Sequence, residues 1–233
     1  MPLPIAGLGL RLGAKAASGL TPQPSGPRGF NINVQTDIRE ASRMLKRVGE
    51  RNIPMAVAQS LTGTAIHLRK VQMRTMPKYI DRPTRFTQKQ GIAADFAKWR
   101  DYKRGAMYAR VYVRPAQEEY LKYQVYGGTR PPKKRAVVVP GKDTRLNKYG
   151  NLTRRYLQTQ LARDDTHVAN INGTAGLWKR MKSGKLKLLV LFADQANYAG
   201  GRWPFFRISQ RIVDRELPKQ INKAVRRALD KRN

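Results

Sequence analysis

The sequence predicts an α+β fold in which a small, mostly antiparallel sheet is covered by a long helix, with a flexible N-terminal arm before it and a long C-terminal helix after it. Three observations carry this. Between Asn52 and Pro77, Met55, Val57, Ala58, Leu61, Ala65, Leu68 and Val71 recur at three- and four-residue steps, which winds them onto one helical stripe. Phe30 to Val34 and Met107 to Val113 alternate apolar and polar residues with the period of two that a strand requires. Leu186 to Ala193 is the densest apolar run, bounded by turn residues, and reads as a strand covered on both faces with the long helix as its lid. The expected organisation is an extended arm over 1–29, a core domain over 30–204 carrying a basic loop at 129–155, and a terminal helix over 205–233.

Taken in order, residues 1–29 are rich in Gly, Pro, Ala and Ser, a composition that buries too little apolar surface to order itself. Leu3, Ile5, Leu8, Leu10, Leu12 and Leu20 also suit an arm that orders against a neighbouring subunit. After the strand at Phe30, a helix starts at Thr36 or Asp37, with Ile38, Ala41, Leu45 and Val48 on one face and Gly49 at its end. The long helix follows, with Asn52 to cap it, Pro54 in its first turn and Pro77 beyond it. About 24 residues at a rise of roughly 1.5 Å make it about 36 Å long.

Asp81 to Gly105 reads as loop, or as a short helix around Ala93 to Tyr102. In the strand Met107 to Val113, Met107, Ala109, Val111 and Val113 face one way and Tyr108, Arg110 and Tyr112 the other. Pro115 closes it, and a short helix over Ala116 to Tyr126 stops at Gly127 and Gly128. Ala136 to Pro140 is a short strand, and Asn151 or Thr153 caps a brief helix through Leu161. His167 to Ile171, Gly176 to Met181 and Leu186 to Ala193 read as strands, the last two joined by Lys182-Ser183-Gly184-Lys185 as a hairpin turn. The final helix carries Ile208, Ile212, Leu217, Ile221, Ala224, Val225 and Leu229 on one stripe, and Pro218 is expected to kink it.

Charge bounds the function more tightly than the fold does. Lys and Arg number 47 against 15 Asp and Glu, a formal net charge of +32, so free copies repel one another and a polyanion is the natural partner. With no cysteine there are neither disulfides nor thiolate zinc sites. No run of about 18 apolar residues marks a membrane span, and Met1 to Leu20, broken by Gly7, Gly9, Arg11 and Gly13, does not read as a signal peptide.

Several patterns invite a catalytic reading and fail it. His67 and His167 are isolated, and the pairs Glu118-Glu119 and Asp164-Asp165 diverge on a helix or a strand, so neither a metal site nor a two-metal centre is expected. Gly141-Lys142-Asp143-Thr144 resembles the end of a phosphate loop, but Ala136 stands where the first Gly belongs and Asp143 replaces the Ser or Thr. Asn151-Leu152-Thr153 and Asn172-Gly173-Thr174 match the glycosylation pattern by chance. Neither an enzyme nor a cofactor is expected.

What remains is the basic surface. Thr129 to Arg155 holds nine Lys and Arg against the single acid Asp143, whereas ordinary solvated faces mix signs. Lys133, Lys134, Arg135, Arg154, Arg155, Lys179, Arg180 and Lys182 form the expected polyanion-facing set. Tyr120, Tyr123, Tyr126, Tyr149, Tyr156 and Trp178 are candidates for stacking on bases.

Three stretches resemble the minor tail and tail-completion proteins of tailed bacteriophages, the group that includes the protein Z type of lambdoid phages. They are Ile53-Pro54-Met55-Ala56-Val57-Ala58-Gln59-Ser60-Leu61-Thr62 with Ala65, His67, Arg69 and Lys70 after it, Tyr120-Leu121-Lys122-Tyr123-Gln124-Val125-Tyr126-Gly127-Gly128 running into the basic loop, and Arg215-Glu216-Leu217-Pro218-Lys219. The resemblance implies a structural virion protein at the head–tail junction: a tail-completion protein, tail terminator or neck adaptor that rings the DNA channel. Its implied partners are copies of itself, portal, neck or tail-tube proteins and packaged double-stranded DNA. It implies no membrane, no small-molecule substrate and no cofactor, with residence in the virion and in host cytoplasm during assembly. The alternative is a cytosolic protein that binds nucleic acid without reading sequence.

Overall fold

The computed structural model describes residues 30–34, 52–104, 107–133 and 135–230. The arm over 1–29, the helix expected at 37–48 and Lys134 lie outside them. The fold is α+β, and its contacts gather into two compact units. Of the described residues, one holds those within 30–34, 52–76, 85–104, 107–121 and 204–230, the other those within 77–84, 122–133 and 135–203. The boundary expected at 29/30 stands at the edge of the described residues, and the C-terminal helix, set apart at 204/205 in the sequence, groups with the first unit.

In the first unit β1 (Asn31–Val34), β2 (Ile92–Asp95) and β3 (Ala109–Val113) form an antiparallel sheet in the order β1-β3-β2. Alternation on β3 works as the sequence requires: Ala109, Val111 and Val113 are fully buried, while Arg110 and Tyr112 are half-buried. The long helix α1 (Ile53–Thr75) packs on β2 and β3. Leu61, Ala65 and Leu68 supply its buried stripe, but Met55 is exposed. Asn52 makes no side-chain cap, its backbone already lying in the helical region, and Pro54 occupies the first turn.

Two expectations are corrected here. Ile92 to Asp95 is a strand rather than part of a loop or short helix, and of the helix expected around Ala93 to Tyr102 only Trp99 to Tyr102 forms a helical turn. The Ala-rich sequence lacks strand propensity, and pairing with β3 overrides it. The lid role of the long helix also moves: α1 covers this sheet and the C-terminal helix, and the run Leu186 to Ala193 draws its cover from its own unit.

The helix α5 (Phe205–Asp230) runs uninterrupted through Pro218 and packs along α1 as its most extensive partner. Ser60 meets Gln220, His67 meets Glu216 and Gln72 meets Ser209, so the two helices are antiparallel. Their seam is polar. Gln72 Nε2 donates to Phe205 O and Ser209 Oγ, both at 2.8 Å, and Ser60 Oγ lies 3.3 Å from Gln220 O. A Cβ at Gly63 would stand 2.5 Å from Gln220 Oε1, so the small residue permits the close approach. Phe30 and Phe205 meet edge to face at 5.0 Å at one end of this core.

Between the sheet strands lie two further helices, α2 (Arg85–Gln88) and α3 (Pro115–Tyr126), and the division between units falls inside α3 at Leu121/Lys122. The second unit pairs β4 (Gly128–Arg130) with β9 (Ala196–Tyr198). Its main sheet contains β5 (Val137–Pro140), β6 (Thr166–Ile171), β7 (Thr174–Arg180) and β8 (Leu186–Ala193) in the antiparallel order β5-β8-β7-β6.

Asn172 and Gly173, at φ +50° and +76°, make the two-residue turn between β6 and β7, the left-handed pair that suits the twist of a hairpin. Gly184 at φ +78° closes the β7–β8 turn within the expected Lys182–Lys185 stretch. The core is Leu177, Leu189 and Val190, covered by Leu152, Tyr156 and Leu157 from α4 (Tyr156–Leu161) and the loop before it. That local cover is what shields the run on β8. Neither Asn151 nor Thr153 caps α4 with its side chain.

Candidate polyanion interface

All the basic residues singled out from the sequence, Lys134 apart, lie in the second unit, and the strand register decides which of them meet. Lys179 on β7 sits directly opposite Lys187 on β8, a like-charge pair that a sheet tolerates only with compensation. Two carboxylates provide it: Asp165 Oδ2 is 3.5 Å from Lys179 Nζ, and Asp143 Oδ2 is 3.6 Å from Lys187 Nζ. Asp165 also accepts from Arg163 Nε at 2.9 Å and Nη2 at 3.0 Å, and from Thr166 Oγ at 3.1 Å. The Arg163 hydrogen bonds above all hold the Asp165 carboxyl well below the usual carboxylate range, against the desolvation that opposes them, and they raise the Arg163 guanidinium in turn.

Arg180 follows Lys179 and by the period of two points to the opposite face of the sheet. It stands with Lys182 at the β7–β8 hairpin end, where Arg180 pairs with Leu186. Lys133 and Arg135 precede β5, whose Val137 pairs with Ala193 at the other end of β8. Seven strand steps at about 3.3 Å put these two groups roughly 23 Å apart along the sheet. Arg154 and Arg155 are exposed on the segment between the core-covering Leu152 and Tyr156. The set is therefore several exposed cations distributed around one small sheet, with Lys179 separated from the rest by its ion pair. Arg135, Arg154, Arg155, Arg180 and Lys182 have no ion pair among the described residues.

The aromatic residues proposed for stacking are engaged in packing. Tyr123 stacks on Tyr198 at 5.6 Å, Trp178 Nε1 donates to Ala169 O at 3.2 Å, Tyr156 covers the core, and Tyr120 hydroxyl lies 2.9 Å from Thr87 Oγ. Only Tyr126 among them is exposed, and Tyr149 is half-buried beneath Lys148 at 5.2 Å. A surface of long cations with its aromatics turned inward is built to neutralise charge, and it offers little purchase on bases.

The phosphate-loop likeness disappears in three dimensions. Gly141 N and Thr144 Oγ both donate to Leu189 O, at 2.8 and 2.6 Å, so this turn closes against β8 and leads into no helix that could cradle a phosphate. Among the described residues no group of three His, Asp or Glu is placed to hold a metal ion, and no helix is long and apolar enough to cross a membrane.

A second concentration of charge, on α5, was not part of the expected set. Arg207, Arg211, Arg215, Lys219, Lys223 and Arg227 recur every four residues and are all exposed. The signal stands in the sequence as a row interleaved with the apolar stripe. Comparison with protein-family models, with curated proteins and with solved structures yields no match to this chain.

Proposed function

We propose that this protein is a structural component of a tailed-bacteriophage virion at the head–tail junction, a tail-completion, terminator or neck protein that assembles in a ring near the DNA channel. The observation that carries the reading is the exposed cation set Arg135, Arg154, Arg155, Arg180 and Lys182, which has no ion pair among the described residues, in a unit where Asp143 and Asp165 are each engaged by a lysine. Copies carrying +32 each resist assembly unless a polyanion offsets them, and a DNA channel or acidic neighbouring subunits supply that offset. The resemblance of the three sequence stretches to minor tail and tail-completion proteins supports the location.

The test is to reverse Arg154, Arg155, Arg180 and Lys182 to Glu and to image the particles produced. Loss of tailed, DNA-retaining particles is expected, and normal particles with normal DNA content sink the proposal. The second reading, a free cytosolic nucleic-acid-binding protein, is favoured by the row on α5. It predicts nucleic-acid binding by the free protein and no copies in any particle, which quantitative mass spectrometry of purified virions decides.

A further inference from the structure

The row on α5 consists of residues other than the set that carries the head–tail reading. Eight residues of this helix are exposed among those whose side chains are described, and seven are Lys or Arg: Arg207, Arg211, Arg215, Lys219, Lys223, Arg226 and Arg227. The eighth, Asp214, accepts from Gln210 Nε2 at 2.8 Å. The other acid on this stretch, Glu216, is turned inward, accepting from Gln220 Nε2 at 3.0 Å and lying 4.0 Å from His67 Nε2 and from Lys219 Nζ. Arg207, Arg211, Arg215 and Lys223 have no ion pair among the described residues.

Like charges four residues apart destabilise a helix, so a face shaped for stability alone would alternate sign. The row winds partly round the helix, and Arg211, Arg215, Lys219 and Arg226 keep one sign on one face along about 22 Å. The opposite face is fixed by burial of Ile212, Val213, Leu217 and Ile221, so the helix cannot roll to hide the row.

We infer that this exposed face of α5 binds the phosphate backbone of double-stranded nucleic acid without reading its sequence. An acidic protein partner would want an apolar, aromatic centre ringed by polar groups, and the exposed residues of α5 include none among those whose side chains are described. A single strand would want aromatic platforms between the cations, which are missing for the same reason. Arginine dominates the row, and its planar fork suits phosphate oxygens.

At 100° per residue Arg211, Arg215, Lys219 and Arg226 fall within an arc of about 80°, so roughly four phosphates can be met at once. Four contacts give a log–log salt slope of about −3.6, or a loss of affinity of about 150-fold between 50 and 200 mM salt. Such binding is weak for one copy and becomes firm when several copies engage one duplex.

The experiment measures binding of the full chain to two unrelated 30-base-pair duplexes by fluorescence anisotropy across a salt series. The variant R211Q/R215Q/K219Q is expected to make the slope shallower by about 2.7, while R211K/R215K retains the parent slope. Circular dichroism melts check that both variants stay folded. A slope change below about 1 in the Gln variant overturns the inference, as does a preference of more than tenfold between the duplexes. Equal competition by poly-glutamate at matched charge assigns the face to an acidic protein and overturns it too. The outcome is independent of the head–tail reading: absence from particles removes that reading and leaves this one, and an unchanged slope does the reverse.

Discussion

Replacing Gln72 by Met tests whether the polar seam between α1 and α5 stabilises the first unit or merely tolerates being buried. Gln72 has no exposed surface. The orientation of its amide is fixed by chemistry, because Phe205 O can only accept and so the atom 2.8 Å from it must be the nitrogen. The oxygen is thereby left without a hydrogen-bond partner. Removing the amide forfeits two neutral hydrogen bonds worth about 1 kcal/mol each. It also removes an orphaned buried acceptor that costs about 1 to 3 kcal/mol, and it buries an apolar group worth roughly 1 kcal/mol in its place.

Met has nearly the helix propensity of Gln, so the backbone is indifferent to the change. The terms therefore leave Q72M about 0 to 2 kcal/mol more stable than the parent. With a urea dependence of about 2 kcal/mol per molar, the midpoint moves up by as much as about 1 M. Q72E, which sets a buried carboxylate against the Phe205 carbonyl, is expected to cost more than about 3 kcal/mol. Urea unfolding followed by hydrogen exchange in α1 and α5 peptides reads the first unit by itself. A fall in the Q72M midpoint equivalent to more than about 1 kcal/mol refutes the reasoning and makes the seam a net source of stability.

Two other outcomes follow from the second unit. The Asp165 carboxyl is lowered in the folded state, so its contribution is fully present above the unfolded value of about 3.9 and disappears as pH falls through the lower native value. The stability difference between the parent and D165N should hold constant from pH 7 to about 4 and shrink below that, with 1 M salt reducing it throughout. A difference that grows on acidification contradicts the sign. Gly173 stands at φ +76° with open space around it, so G173A meets no clash and should cost only the backbone term of about 1 kcal/mol, a melting shift of roughly 4 to 8 °C. An unchanged melting temperature would mean that the turn is not held in its left-handed form in solution.

The fold was legible wherever periodicity and partner agree. The stripe of α1, the alternation on β3 and the three strands from Thr166 to Ala193 lie close to their expected bounds, because each pattern is set by local geometry. Partner choice was not legible. An amphipathic stripe announces a buried face without naming what buries it, so Leu186 to Ala193 drew the long helix in expectation, whereas Leu152, Tyr156 and Leu157 cover its core residues. At Ile92 to Asp95 the alanines hid a strand that exists through pairing with β3. Asn172-Gly173, a strong hairpin signal, matched a glycosylation pattern and its turn chemistry went unread.

The candidate site was legible in charge and illegible in arrangement. Lys179 and Arg180 are neighbours in the chain and occupy opposite faces of the sheet, while Lys179 and Lys187, eight residues apart, are cross-strand partners. The row on α5 needs no structure to count it. What the structure adds is that its members are exposed and that nearby Glu216 is spent on the helix interior.

The first unit is assembled from pieces at both ends of the described chain, whereas nearly all of the second lies in one stretch from 122 to 203. On a ribosome the later stretch is complete first, and the side of α1 that packs on α5 waits uncovered until α5, which follows that stretch in the chain, leaves the exit tunnel. Chains truncated before α5 should thus fail in the unit that began first, while the unit over 122–203 still forms.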